Sequence, residues 1–211
     1  IGCKPFGRVT GFRHDGSRID MPRCGLIDMY VGVLPLRAEA GVFDLMALLP
    51  EGAPKLGGIV SLQTLGMHPW TLDMSSRTLT LETPASLVQR TAGMREIQVR
   101  PSTQGGGAGF DLFMKVDAPE GDLWLEIDSG NAAGLILSPH ALAQLGIERP
   151  QDDNATVPVA LQISGFGTYA APAIVKDTIY DGLLDVRFLK AHRLSVDPTT
   201  GKAWLQSTAA P

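Results

Sequence analysis

Apolar and polar positions alternate most clearly over 123–127, where Leu123, Leu125 and Ile127 fall on one side and Trp124 and Glu126 on the other. That period of two predicts a strand. The strand runs into Asp128-Ser129-Gly130, a small polar turn, and the unbroken Leu135-Ile136-Leu137 predicts a second, buried strand. Ser138 then suits a helix N-cap, Pro139 the first helical position and Gly146 the C-terminal cap, so a helix is expected over 138–146. A carboxylate on a tight turn between two apolar strands is a costly place for a charge. Either Asp128 only caps its own backbone in an Asx-turn, or the position serves chemistry.

The same alternation and turn punctuation occur elsewhere. Phe6–Asp28 alternates around His14-Asp15-Gly16, which predicts a hairpin with Asp-Gly at its tip. Gly93–Pro101 and Phe110–Pro119 read as a second hairpin, with Gln104-Gly105-Gly106-Gly107-Ala108-Gly109 as its loop. Neither Gly-Lys-Ser/Thr nor a helix follows that loop, so it reads as a flexible turn rather than a phosphate cradle.

The patterning also repeats. Residues 58–82 and 182–206 align at a constant offset of 124, matching Gly58 with Gly182, Leu65 with Leu189, His68 with His192, Asp73 with Asp197 and Leu81 with Leu205. Both segments parse as glycine, an apolar pair, one or two helical turns, then a hairpin whose turn holds the Asp. Upstream, Gly32, Val42 and Asp44 match Gly165, Val175 and Asp177 at an offset of 133. The change of nine residues places one surface insertion within Leu45–Leu56, whose Pro-Glu-Gly-Ala-Pro is loop chemistry. A weaker third match sets Gly2 on Gly146, an offset of 144. The chain is therefore expected to hold two copies of one β-rich unit, at 1–85 and 86–211.

Composition narrows the function classes. At 211 residues and 44% apolar, the chain can bury a real core. A net charge of −4 without basic blocks argues against nucleic acid. No apolar run approaches the length of a membrane-spanning helix. The chain begins without Met or a signal peptide, which reads as a processed or partial product. Cys3 and Cys24 are either a disulfide, pointing to a secreted or periplasmic setting, or two buried thiols. The four His show no ligand spacing with them, so neither a metal nor a cofactor is expected. Ser129 lies outside any Gly-x-Ser-x-Gly motif. His68 and His192, and Asp73 and Asp197, recur at matching places and read as structural. Trp70, Trp124 and Trp204 read as packing residues, and Asn154-Ala155-Thr156 fits a glycosylation pattern that is common by chance.

Strand, Asp128-Ser129-Gly130, apolar strand, Ser-Pro helix, hairpins, Asp181-Gly182-Leu183-Leu184, helix near 186–192 and a last hairpin with Val196-Asp197: this order resembles that of pepsin-like and retropepsin-like aspartic proteases. The resemblance implies a mainly β fold of two pseudo-symmetric β-barrel lobes with short helices. It implies an aspartic endopeptidase in which Asp128 is one of two catalytic acids, with Ser129 and Gly130 fixing its turn. The hairpin at 6–28 would be the flap, placing Phe12, His14, Asp15 and Gly16 over an extended peptide substrate. Ser61 and Asp185 stand where the family has a glycine close to the active-site turn. There Asp185 either adds a third acid or caps the helix that follows. The first copy follows only the second half of the pattern. The partner of Asp128, 144 positions earlier, would fall about 16 residues before Ile1, so a cleaved N-terminal segment is one expected source of the second acid. Two chains pairing their Asp128 residues are another, and a non-catalytic peptide-binding protein on the same scaffold is the rival reading.

Overall fold

The computed structural model describes residues 3–49, 51–66, 68–104, 109–152 and 155–208. The centre of the glycine-rich loop, the Asn154 of the glycosylation pattern and Gly2 of the weakest repeat match lie outside the described residues. By contacts the chain divides into two units. The first comprises Ile1–Arg13, Ser17–Gly66 and Thr103–Phe110, and the second His14–Gly16, Met67–Ser102 and Asp111–Pro211.

The first unit is built on an antiparallel sheet of β1 (Phe6–Phe12), β2 (Arg18–Val31) and β3 (Leu34–Gly41), in that order. The expected hairpin at 6–28 is present: Phe12 pairs with Arg18, and Arg13 N donates to Ser17 O at 2.8 Å. Gly16 takes φ +78°, a value that suits glycine in a tight turn. Cys3 and Cys24 are joined by a disulfide with their Cα atoms 5.6 Å apart. Arg23 pairs with Glu39 and lies over the Phe6 ring. A 3-10 turn at Leu45–Leu48 sits within the expected insertion, and a second at Leu62–Leu65 follows Ser61. Closing a loop of 21 residues removes chain entropy from the unfolded state worth about 3 kcal/mol. Reduction is therefore expected to raise hydrogen exchange across β1 and β2 while leaving the barrel strands of the second unit protected. Equal loss of protection in both units would contradict it.

The second unit contains β4 (Trp70–Asp73), β5 (Thr78–Leu81), α1 (Pro84–Thr91), β6 (Arg95–Ile97), β7 (Val99–Gln104), β8 (Gly109–Ala118), β9 (Gly121–Ile127), β10 (Leu135–Leu137), α2 (Pro139–Gln144), β11 (Thr156–Ile163), β12 (Gly167–Val175), β13 (Gly182–Leu184), α3 (Val186–Ala191), β14 (His192–Asp197) and β15 (Lys202–Ser207). The facing ends of β7 and β8 count with the first unit. One sheet runs β11-β12-β10-β13-β9-β8-β7, and β11 also pairs with β8 through Gln162–Asp117 and Ile163–Val116, closing six strands into a barrel. Its interior holds Met114, Val116, Leu123, Leu125, Leu135, Leu137, Leu161 and Ile163, all at most 1% exposed. Strict alternation along β11 explains how Val157, Val159, Leu161 and Ile163 all face inward.

Two predicted helices form, slightly shorter than expected. Ser138 Oγ accepts from Ala141 N at 3.0 Å to start α2, and Gly146 ends it at φ +69° with Ile147 N donating to Leu142 O. Helix α1 was not expected from the sequence. Thr83 and Ser86 cap it reciprocally, a capping box with Ser where Glu or Gln is usual. The hairpin expected from Gly93–Pro101 is divided: Arg95–Ile97 leaves as β6 to pair with β15, and β7 starts at Val99 beside β8.

The second sheet, β5-β4-β14-β15-β6, joins the two repeats. Strand β4 pairs antiparallel with β14, and Thr71 lies opposite Ser195 with their hydroxyls 2.7 Å apart. These two residues are 124 positions apart, the repeat offset itself, so the two matched strands pair about a local twofold. Asp73 and Asp197 each hold a hairpin turn: Ser75 N donates to Asp73 Oδ1 at 3.1 Å, and Thr199 N to Asp197 Oδ1 at 2.9 Å. His192 is a buried ring among Phe166, Tyr169 and Phe188, its Nδ1 2.8 Å from Phe188 O, which is a packing role.

Candidate active-site turn

Asp128 stands where two parallel neighbours end. Strand β13 lies between β9 and β10, parallel to β9 (Leu184 beside Ile127) and antiparallel to β10 (Leu183 beside Ile136). The strands on either side of the Asp-Ser-Gly turn therefore do not pair with each other; they clasp β13. Asp128 N donates to Leu184 O at 3.2 Å, continuing the β9–β13 ladder into the turn. The carboxylate is half-buried, and its Oδ1 accepts from Gly130 N at 2.8 Å. That is the Asx-turn anticipated from sequence, and it uses only one carboxylate oxygen. Ser129 and Gly130 are exposed at the turn's outer surface.

The turn is fastened from behind. Asn131 is buried, gives its Nδ2 to Gly134 O at 2.8 Å, and receives Ala133 N on its Oδ1 at 3.0 Å. Val186 N donates to Asn131 O at 3.0 Å, which ties the turn to the start of α3. Gly134 has φ +132°, and a Cβ there would lie 2.3 Å from Arg187 Nη2. Asp185 is 1% exposed, caps α3 through Phe188 N at 3.1 Å, and ion-pairs with Arg187. Both carboxylate oxygens of Asp185 are thus engaged by its own helix, and a capping role accounts for it. Asn131 and Gly134 were not singled out in the sequence, where Gly-Asn-Ala-Ala-Gly reads only as a small polar link.

Glu126, on the same side of β9 as Trp124, is partly buried. Burial pushes its carboxyl up to about 8, aided by the negative charges of Asp111 and Asp128. Asp111 lies two residues before Phe113, the cross-strand partner of Glu126. Glu126 therefore carries its proton at neutral pH. A folded-state pKa above the unfolded value means stability is greatest below about 4.5 and declines as pH rises to about 8. Relative to Glu126→Gln, the wild-type protein is expected to lose about 1 kcal/mol per pH unit over that window. Parallel urea melts from pH 5 to pH 8 would show it, and a constant difference would refute it.

The remaining candidates fall as follows. His14, Asp15 and Gly16 cluster with the second unit, where Ile179 N donates to His14 O at 2.8 Å and Gly16 lies against Ile179. Ile179 belongs to the wall of a cavity of about 350 Å³ lined by Ser138–His140 and Asp177–Asp181. Phe12 is exposed on the first unit, and Cys3, Cys24 and Ser61 also belong to that unit. Ser61 sits in the N-cap position of its 3-10 turn, matching Asp185 at the start of α3, but makes no capping bond. Among the described residues no cluster of three His, Cys, Asp or Glu is arranged to hold a metal, and no helix is long and apolar enough to cross a membrane.

No protein-family model and no curated protein matches the sequence. Solved structures do. The whole chain is similar to 76% of Basic 7S globulin from soybean, with a TM-score of 0.55 and 10% identity. Over 55% of its length it is similar to 96% of a retropepsin-like aspartic protease from Rickettsia conorii, with a TM-score of 0.35 and 16% identity. With its closed six-stranded barrel, short helices and full-length likeness to the globulin, the chain has a mainly β, pepsin-like fold.

Proposed function

We propose that the protein is an aspartic endopeptidase, or the larger portion of one, and that Asp128 supplies one acid of its dyad. The observation that carries this reading is the placement of Asp128 on a braced turn where β9 and β13 end side by side, one of its oxygens held by Gly130. Bracing by Asn131 and α3 fixes a carboxylate at a costly position, as chemistry requires and a surface loop does not. In the mechanism, two carboxyls share one proton because like charges in contact cannot both ionise. The ionised member takes a proton from water, the water attacks the peptide carbonyl, and the protonated member polarises that carbonyl. The substrate is an extended peptide. Asp128 belongs to the lobe at 86–211, the second acid comes from an N-terminal segment that completes the lobe at 1–85, and the hairpin at 6–28 acts as the flap, with Phe12, His14, Asp15 and Gly16 near its tip.

The sequence contains a single Asp-Ser/Thr-Gly. That observation favours a second reading, a peptide-binding protein on the same scaffold without catalysis. Pairing of two Asp128 residues in a homodimer is the remaining arrangement. Incubation with an unfolded polypeptide across acid to neutral pH separates the enzyme from the binding protein. Cleavage that disappears in Asp128→Asn supports the enzyme, and cleavage unaffected by that change rules the mechanism out. Peptide binding without cleavage would support the second reading.

A further inference from the structure

We propose that Glu126 holds a proton for Asp128 and thereby extends the proposed hydrolysis from acid to neutral pH. The effect on hydrolysis rests on the protease reading above; the coupling between the two carboxyls rests on the sheet alone.

Strand β9 carries both groups. Side chains two positions apart on a strand share a face, with Cα atoms about 7 Å apart. Asp128 N donates to Leu184 O, so the ladder runs one residue past Ile127 and Asp128 keeps the face of Glu126. Glu126 lies opposite Phe113 of β8 and Leu183 of β13, which are 5% and 1% exposed. The β8–β9 register, carried two residues further, sets Asp111 opposite Asp128. Asp111, Glu126 and Asp128 therefore share one face, and of these acids Glu126 is the one set in a row of buried apolar side chains.

No cation offsets it. Among the described residues the Glu126 carboxyl has no hydrogen bond or ion pair. Strand β13 carries no titratable group. Asp181, just before it, accepts from Trp124 N, and Asp185, just after it, is engaged by Phe188 N and Arg187. On β8, Lys115 is drawn away to Asp122 at 3.0 Å. Arg100 lies over the Trp124 ring, and Tyr180 meets the Phe113 ring edge to face. Burial and the charges of Asp111 and Asp128 then keep the proton on Glu126 up to about pH 8.

A dyad works only while it holds one proton, and two carboxyls alone release that proton well below neutral pH. With Glu126 in the set, the last proton stays on this face to about pH 8. Its transfer is balanced: the Glu126 O–H bond breaks, an Asp128 O–H bond forms, directly or through one water, and Glu126 is left as a carboxylate. Glu126 is thus a positioning residue that acts through Asp128.

Two measurements on the whole chain test this. In protein isotope-labelled at its Glu side-chain carboxyls, one resonance, missing in Glu126→Gln, is expected to titrate near pH 8. Asp128→Asn removes a neighbouring charge and is expected to lower that midpoint by about half a pH unit or more. A midpoint in the ordinary Glu range, or one indifferent to Asp128→Asn, would overturn the coupling. In hydrolysis, the alkaline limb of kcat/KM is expected to move about one pH unit or more toward acid in Glu126→Gln, and Glu126→Asp is expected to restore part of it. Stability pulls the other way, since wild type rather than Glu126→Gln loses stability as pH rises. An unmoved limb would overturn the proton-holding role and leave the protease reading intact. Coupled titration without Asp128-dependent hydrolysis would sink the protease reading, and with it the effect on hydrolysis, while the coupled pair stands.

Discussion

Gly182→Ala is expected to destabilise the second unit by about 3 kcal/mol or more, while Gly58→Ala leaves stability unchanged within about 0.5 kcal/mol. Both positions are the glycine of a Gly-apolar-apolar triplet, and sequence alone gives no reason to treat them differently. The structure does. The added methyl at 182 would come within 2.3 Å of a backbone carbonyl on β10, and backbone in the middle of a closed barrel cannot yield cheaply. At 58 the methyl points into open space among the described residues. For a chain of this size the first change should lower the thermal midpoint by roughly 10 °C. Circular dichroism melts of the two variants measure the difference directly. Equal costs would mean that the first copy is packed like the second.

Asp128→Asn is expected to lower the rate of peptide hydrolysis by about a thousandfold or more, with no change in fold. The amide oxygen of Asn can still accept from Gly130 N, so the turn survives and only the acid is lost. Asp197→Asn is the matched control. Asp197 accepts from Thr199 N in the last hairpin turn, and its loss should affect stability slightly and hydrolysis not at all. Initial rates on an unfolded polypeptide, measured for both variants at the same pH, give the comparison. A similar fall in both would assign the effect to stability.

Much of this was legible in the residues. Alternation over 123–127, the Ser138-Pro139 start and the Gly146 stop located β9 and α2 to within a residue or two, because local propensity and burial agree there. The Asp-Gly tip located the β1–β2 hairpin for the same reason. The offset of 124 anticipated matching segments, and Thr71 against Ser195 shows where they meet. What was illegible depends on neighbours distant in sequence. The partial burial of Glu126 is not announced by the alternation of its strand; it depends on what packs around β9, which β8 and β13 flank on both sides. Asn131 acts through a buried network with Gly134 and Val186 N, and nothing local announces it. Helix α1 was hidden by an unusual Ser at the third helical position. Asp185 was open to two readings until both its oxygens were seen to be used by Phe188 N and Arg187.

The hydroxyl contact between Thr71 and Ser195 has a practical corollary. A shortened protein beginning at residue 86 would keep β14 but lose β4, leaving a bare edge of backbone donors and acceptors. That edge is self-complementary: with Ser195 facing Ser195, each Arg193 would meet the other molecule's Asp197 just as it now meets Asp73. The isolated C-terminal half should therefore migrate on gel filtration at twice its mass.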